Sequence, residues 1–229
     1  MSEVFLPGDP PIPLFLRRSP RARRISLRVS QLDGRVTLTL PQRLAEREAL
    51  DFARSKEGWI RKHLSERGQN IPIGYGAKLP VEGQLMQVVP ATGRRVEIAQ
   101  ATIAVPGREA QVGKRLQAHL KELARVRLVA ACDTYAARLG RDYSQIALRD
   151  TRSRWGSCTT AGRLMFSWRL ILSPPRVLRY VAAHEVAHLD QMNHSPAFWA
   201  GVSRIFGDYP EPRAWLRQHG SELHRYDFF

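Results

Sequence analysis

Only two cysteines, Cys132 and Cys158, occur in 229 residues. A secreted fold stapled by disulfides would carry more, so a reduced, cytoplasmic setting is expected. No run approaches the roughly 18 apolar residues that cross a bilayer, and mean hydropathy is −0.34; no membrane span is expected. The N-terminus also lacks the basic-then-apolar order of a secretory signal. Glu3 and Asp9 come first, Pro7, Pro10, Pro11 and Pro13 interrupt, and arginines follow. Lysine is scarce, five residues against 31 arginines. There is no internal repeat and no low-complexity tract.

What is present suits a globular protein: 43% hydrophobic residues are enough for an ordinary core. The net charge of +15 is spread along the chain, with 18 basic against 11 acidic residues over 1–110 and 18 against 10 over 111–229. Arginine pairs well with phosphate and carboxylate, so nucleic acid is one expected partner; a compositional bias toward arginine is the plainer account. Arg17, Arg18, Arg21, Arg23, Arg24 and Arg28 form the densest basic segment. Because strand-forming residues interleave with them, a solvated strand face is the first reading and a polyanion surface the second.

Alternating stretches at Ile25–Val29 and Val36–Leu40, joined across Leu32-Asp33-Gly34, predict a β-hairpin. After Pro41, Leu44, Phe52, Trp59, Ile60 and Leu64 fall on one side of a helix that stops at Gly68. Short β-like runs alternate with glycines from Ile71 to Val105. Pro106-Gly107 breaks that pattern, and helical spacing then runs from Val112 to Leu139, before Gly140. These features predict an α+β chain: a sheet-rich N-terminal domain with one covering helix over 1–107, and a second domain over 108–229. Within the second, Ile146–Arg149 and Arg163–Trp168 are expected to form a hairpin. A helix should then start behind Ser173 as N-cap, with Pro174 and Pro175 in its first turn.

That helix carries His184-Glu185-Val186-Ala187-His188. Imidazoles at i and i+4 project from one helical face one turn apart and can share an ion, with tetrahedral zinc the natural occupant. Glu185 projects beside them, placed to act as general base toward a water the metal activates. A motif this short arises by chance, so context matters. Val177, Leu178, Val181, Ala182, Val186, Ala187 and Leu189 make the other faces apolar, as in a buried helix.

A catalytic zinc needs a third protein ligand. His194 is the first choice. Asn193 can end a helix in the left-handed conformation, Ser195 can cap the next and Pro196 suits its first position, so His194 sits at a sharp turn. The step from His188 to His194 matches the third-ligand spacing of metzincins, although Gln191 replaces their glycine and puts the turn later, near Asn193. Glu211, Glu222 and Asp208 are the carboxylate alternatives. The bland reading makes all three histidines ordinary surface residues, but three within eleven positions, in a chain with seven, weigh against it.

Other residues are more ambiguous. Trp155 and Gly156 suit packing before a strand, or alignment of an extended substrate. Cys158 reads as a small buried residue. Asp190 or Asn193 could orient a ligand histidine through its second nitrogen. Phe198, Trp199, Ile205, Phe206 and Trp215 read as core. Tyr180, Tyr209, Arg169 and His219 are chemically able to stabilise an oxyanion.

Arg154-Trp-Gly-Ser-Cys158, Trp168-Arg-Leu170, His184-Glu-Val-Ala-His-Leu189 and Asn193-His-Ser-Pro-Ala-Phe-Trp199 together resemble the YgjP-like metallopeptidases, relatives of the SprT-like zincins. Arg21–Arg28 and Trp59-Ile60 extend the likeness toward the N-terminus. The resemblance implies a zincin-like domain with His184, His188 and His194 as ligands, Glu185 as catalytic residue and a peptide or protein substrate. Two rival readings stand beside it: a nucleic-acid-associated zinc protein, and a zinc hydrolase of an amide or phosphate bond in a small molecule.

Overall fold

The computed structural model describes residues 2–30, 33–65 and 69–229. The chain divides into two compact units, Met1–Gln69 and Asn70–Phe229. In the first, strands β1 (Ser2–Leu6), β2 (Ile12–Ser19), β3 (Ser26–Val29) and β4 (Val36–Pro41) form one sheet in the order β1-β2-β4-β3. Alternation explains its buried face: Ile12, Leu14 and Leu16 on β2 and Val36, Leu38 and Leu40 on β4 all lie in one core. The expected β3–β4 hairpin is present, antiparallel with Leu27 opposite Leu38. Leu32 of its connection lies outside the described residues. β2 runs parallel to β4, Leu16 beside Leu38; its Pro13 and Arg17-Arg18 mask the alternation in the sequence.

The covering helix is two helices, α1 (Glu46–Ser55) and α2 (Glu57–Ser65), broken at Lys56. Ala49, Ala53 and Ile60 join the core, whereas Trp59 is 43% exposed. Gly68, the expected stop, lies outside the described residues.

In the second unit β5 (Ile71–Pro72) leads to a sheet of β6 (Lys78–Val81), β7 (Gln84–Ala91), β8 (Glu97–Ala99) and β9 (Thr102–Pro106), ordered β6-β7-β9-β8. Helix α3 (Glu109–Leu139) follows and ends at Gly140, left-handed at φ 72°. The boundary expected near residue 107 therefore moves to 69/70. Pro106-Gly107 ends a strand but not a core, since Val88, Ile103 and Val105 share one hydrophobic cluster with Val112, Leu116 and Leu120.

Strands β10 (Gln145–Arg149), β11 (Gly156–Cys158) and β12 (Arg163–Ser167) form a sheet ordered β10-β12-β11. The hairpin expected from β10 and β12 is wrong. They pair in parallel, Ile146 beside Leu164, and the segment read as their connection contains β11, which pairs antiparallel with β12. A 3-10 turn, Trp168–Leu172, leads into α4 (Pro175–Ala187), α5 (Pro196–Phe206) and α6 (Pro210–His219). A short β13 (Tyr226–Asp227) returns to pair with β5. The chain is thus a mixed α and β protein, and among the described residues no helix is long and apolar enough to cross a membrane.

Candidate metal centre

Two proline-rich helix starts and one tight turn build the centre. Ser173 does not cap α4; its hydroxyl donates to the Leu170 carbonyl at 2.7 Å, and Pro174 occupies the cap position. Val177, Leu178, Val181, Ala182, Val186 and Ala187 bury α4 on its apolar sides, which fixes the rotation that presents His184 and His188 together. The chain turns as soon as His188 is passed, with Asp190 and Gln191 both donating their N–H groups to the Ala187 carbonyl. The later turn expected at Asn193 is therefore corrected. Asn193 is not left-handed; its Oδ1 accepts from the Ser195 N–H at 3.1 Å. Ser195 does cap α5, accepting from the Phe198 N–H, with Pro196 first in the helix.

The result brings His194 back over α4. Ring centres of His184, His188 and His194 stand 5.0, 5.0 and 4.8 Å apart. The Nε2 atoms of His184 and His194 face each other at 3.1 Å, and one donor atom from each of the three histidines lies within 4.8 Å of the others. Phe198 floors the group, its ring 4.9, 4.5 and 4.8 Å from the three imidazoles. The Gln191 carbonyl sits 2.9 Å from His188 Nδ1. A proton held there leaves Nε2 as a lone-pair donor. His184 Nδ1 is buried without a partner.

Burial, then its two neighbouring histidines and Arg213, depress His184 to a pKa of about 3. His188 is lowered chiefly by burial. Three imidazoles gathered around one point, two of them with lowered pKa values, form a donor set suited to a metal ion.

Glu185 is 6% exposed. Burial pushes its pKa up to about 8 against the opposing charge of Arg154. Its carboxyl lies against bare backbone: a Cβ added at Gly156 would stand 2.5 Å from Glu185 Cγ and 2.6 Å from Oε1. Gly156 thus belongs to a strand beside the centre, and its lack of a side chain makes room for Glu185. Trp155 packs instead, against His224 at 5.1 Å.

The rival residues are engaged elsewhere. Glu222 pairs with His219 at 3.2 Å, and Glu211 and Asp208 face Arg176. Arg169 is buried in a clamp, donating to both Asp150 oxygens and to the carbonyls of Leu223 and Tyr226. Asp190 pairs with Arg141 at 2.8 Å and does not reach a histidine. Cys158 is a free, half-buried thiol, pushed up to about 11 by burial and then by Glu185. Tyr180 stays close, its ring 6.0 Å from that of His184, while Tyr209 stacks on Trp199 at 5.1 Å. Phe198, read as core packing beneath the centre, is fully buried there; two features were missed, the Gln191 carbonyl, which has no side-chain signature, and Arg213, 4.5 Å over Trp199.

Comparison with known proteins now decides the family. The profile of the YgjP-like metallopeptidase domain matches residues 23–219. The chain belongs to the YgjP-like metallopeptidase family. No curated protein sequence matches it. Among solved structures, the crystal structure of the metallopeptidase zymogen of Pyrococcus abyssi abylysin aligns with 43% of this chain and 97% of its own length, at 17% identity and a TM-score of 0.37. In this YgjP-like chain, the three histidines are the residues that can hold the metal ion a metallopeptidase requires.

Proposed function

We propose that the chain is a zinc-dependent peptidase in which His184, His188 and His194 hold the ion and Glu185 is the general base. One observation carries this reading: three imidazoles converge beside a buried carboxyl that has no ion-pair partner among the described residues. The donor set fits zinc, since ligand atoms about 2.0–2.1 Å from a tetrahedral ion stand about 3.3–3.4 Å apart, close to the 3.1 Å between the two facing Nε2 atoms. Zinc held by these residues would supply Lewis acidity toward a water and a substrate carbonyl.

The protein's own groups do the rest. The Gln191 carbonyl fixes the His188 tautomer, and Phe198 holds the three rings in place. Glu185, ionised by the field of a cation held by the neighbouring histidines, would take a proton from the attacking water and return it to the leaving amine. Tyr180, pushed up to about 12 by burial, keeps its proton and can donate to the developing oxyanion. β11 is an edge strand, so an extended peptide adding to it would pass Gly156 and Glu185. A cleft of about 550 Å³ bordered by His188, Leu189, Met192 and Tyr143 can take a side chain.

Elemental analysis of protein purified without added metal tests the ligands: one zinc per chain is expected, lost in His188→Ala and in His194→Ala. Glu185→Gln should keep zinc and lose about 10²- to 10⁴-fold in kcat/KM. A zinc-free wild type, or a Glu185→Gln enzyme at full rate, sinks the proposal.

A second reading, recruitment to nucleic acid, is favoured by Arg17, Arg21, Arg23, Arg24 and Arg28, all exposed; Arg18 is committed to the carbonyls of Gln42 and Leu44. Binding to duplex DNA should fall steeply with salt, and Arg21→Ser/Arg23→Ser/Arg24→Ser should flatten that slope by about two to three. Absence of binding at low salt ends this reading.

A further inference from the structure

We propose that a pocket between α3 and α4, separate from the histidine cluster, binds a small amphipathic anion with a carboxylate or phosphate head and a short apolar body. Its volume is about 470 Å³, within the roughly 300–1,000 Å³ of small-ligand sites. Ala130 and Ala131 of α3, Ile171 of the 3-10 turn and Leu178 of α4 supply apolar walls. Two of these four are alanines, and their short side chains leave the space.

The polar lining is unbalanced toward positive charge. Arg127, Arg138, Arg179 and Glu82 surround the pocket. Arg127 is neutralised by both Glu82 oxygens, at 2.7 and 3.2 Å. Glu82 is held there in a left-handed turn at φ 49°, its N–H donating to Ile171. That leaves two arginines without a carboxylate. Arg138 spends one nitrogen on the Ile205 carbonyl at 2.7 Å and lies 5.6 Å from the centre of the Tyr135 ring, so it is fixed in place with N–H groups to spare. Arg179 is exposed and makes no hydrogen bond or ion pair among the described residues.

Tyr135 points to the class of ligand. It lines the pocket while only 6% exposed, and its hydroxyl has no hydrogen-bond partner among the described residues. Burial raises its pKa, while Arg179 and Arg138 stand close enough to oppose that rise. The ring is buried, but the hydroxyl itself is not enclosed: it opens on the pocket with its O–H free to donate. An anionic head accepting from the phenol and from two guanidinium groups would satisfy all three with charge-assisted bonds, and the apolar walls would then cover a short hydrocarbon body.

Isothermal titration of the zinc-loaded chain with sodium octanoate and with octyl phosphate tests this and separates the two heads. Saturable one-to-one binding of at least one octyl anion is expected, at least tenfold tighter than octyltrimethylammonium, which keeps the body and reverses the charge. Arg179→Glu and Tyr135→Phe should each weaken it at least fivefold, and Ala131→Leu should block it. Binding should persist in His194→Ala, which distinguishes this pocket from an anion on the metal and leaves the test independent of peptidase activity. No saturable binding of either anion, equal binding of the cation, or unchanged affinity in Arg179→Glu overturns the proposal. Should Ala131→Leu fail to fold, the exposed Arg179→Glu decides.

Discussion

The two compact units treat polar side chains differently. Among the described residues, the buried polar side chains Gln117, Ser167, Arg169, Ser173, Glu185 and His188 all fall in Asn70–Phe229, while Met1–Gln69 buries only apolar ones. The first unit is an amphipathic sheet whose strand arginines Arg17, Arg18 and Arg28 are exposed. The second accepts the cost of desolvating charge, and it does so in two ways. Arg169 is fully answered, by a carboxylate and two carbonyls. Glu185 and His184 are not: one has an elevated pKa and no ion pair, the other a bare Nδ1. Arg61 Nη2, Ser167 Oγ and Trp168 Nε1 are also buried without a partner, so what sets the centre apart is a buried carboxyl and a bare imidazole nitrogen on adjacent residues.

The largest effect on stability should separate those two kinds of burial from the first unit's surface. Arg169→Ala strands Asp150, whose pKa burial would raise but which Arg169 holds below its usual range. It also frees the carbonyls of Leu223 and Tyr226. A loss of about 3–5 kcal/mol is expected on denaturant unfolding, against about 0.5 kcal/mol or less for Arg24→Ala. Equal effects from the two arginines would erase the distinction.

Next in size is Gly156→Ala. The added methyl meets the Glu185 side chain at 2.5 Å, and crowding of this kind costs about 1–3 kcal/mol. Because the three atoms nearest the methyl all belong to Glu185, the proposed base, kcat/KM should fall about ten- to a hundredfold while zinc content stays at one per chain. Gly58→Ala, where an added Cβ meets nothing within 4 Å, is the control in the first unit and should be neutral or slightly stabilising. A Gly156→Ala enzyme with normal kcat/KM would break the link between strand and base.

What was legible in the sequence follows the range of the interaction. The His184–His188 pair, the Ser195-Pro196 helix start and the left-handed Gly140 are local, each set by neighbours within a turn, and each is where the spacing put it. Two local readings failed, the Ser173 cap and the turn at Asn193; the larger errors and omissions are at long range. The parallel pairing of β10 with β12, and of β2 with β4, depends on partners 18 and 22 residues away, and alternation alone cannot tell parallel from antiparallel neighbours. The boundary at 107 failed for the same reason: Pro106-Gly107 is a local break inside a shared core. Within the centre, the pressure of Gly156 on Glu185 joins positions 29 apart, and no motif spacing encodes it.

The smallest expected effect is a pH dependence confined to the second unit. His224 sits beside the Trp155 ring, with Arg169, Asp150 and Arg152 as its charged neighbours. Burial, helped by Arg169 and Arg152 and opposed by Asp150, lowers it from 6.5 to about 4. Below pH 6.5 the unfolded chain therefore takes up a proton that the folded chain refuses. Stability linked to His224 is full above about pH 6.5, declines as pH falls, and stops declining near pH 4. His224→Phe removes the titration and keeps a ring against Trp155. With zinc saturating in both proteins, the difference in unfolding free energy between wild type and variant should shift in the variant's favour from pH 7 to pH 5. Parallel stability curves across that window would mean that His224 is solvated in the folded chain and carries no pH dependence of its own.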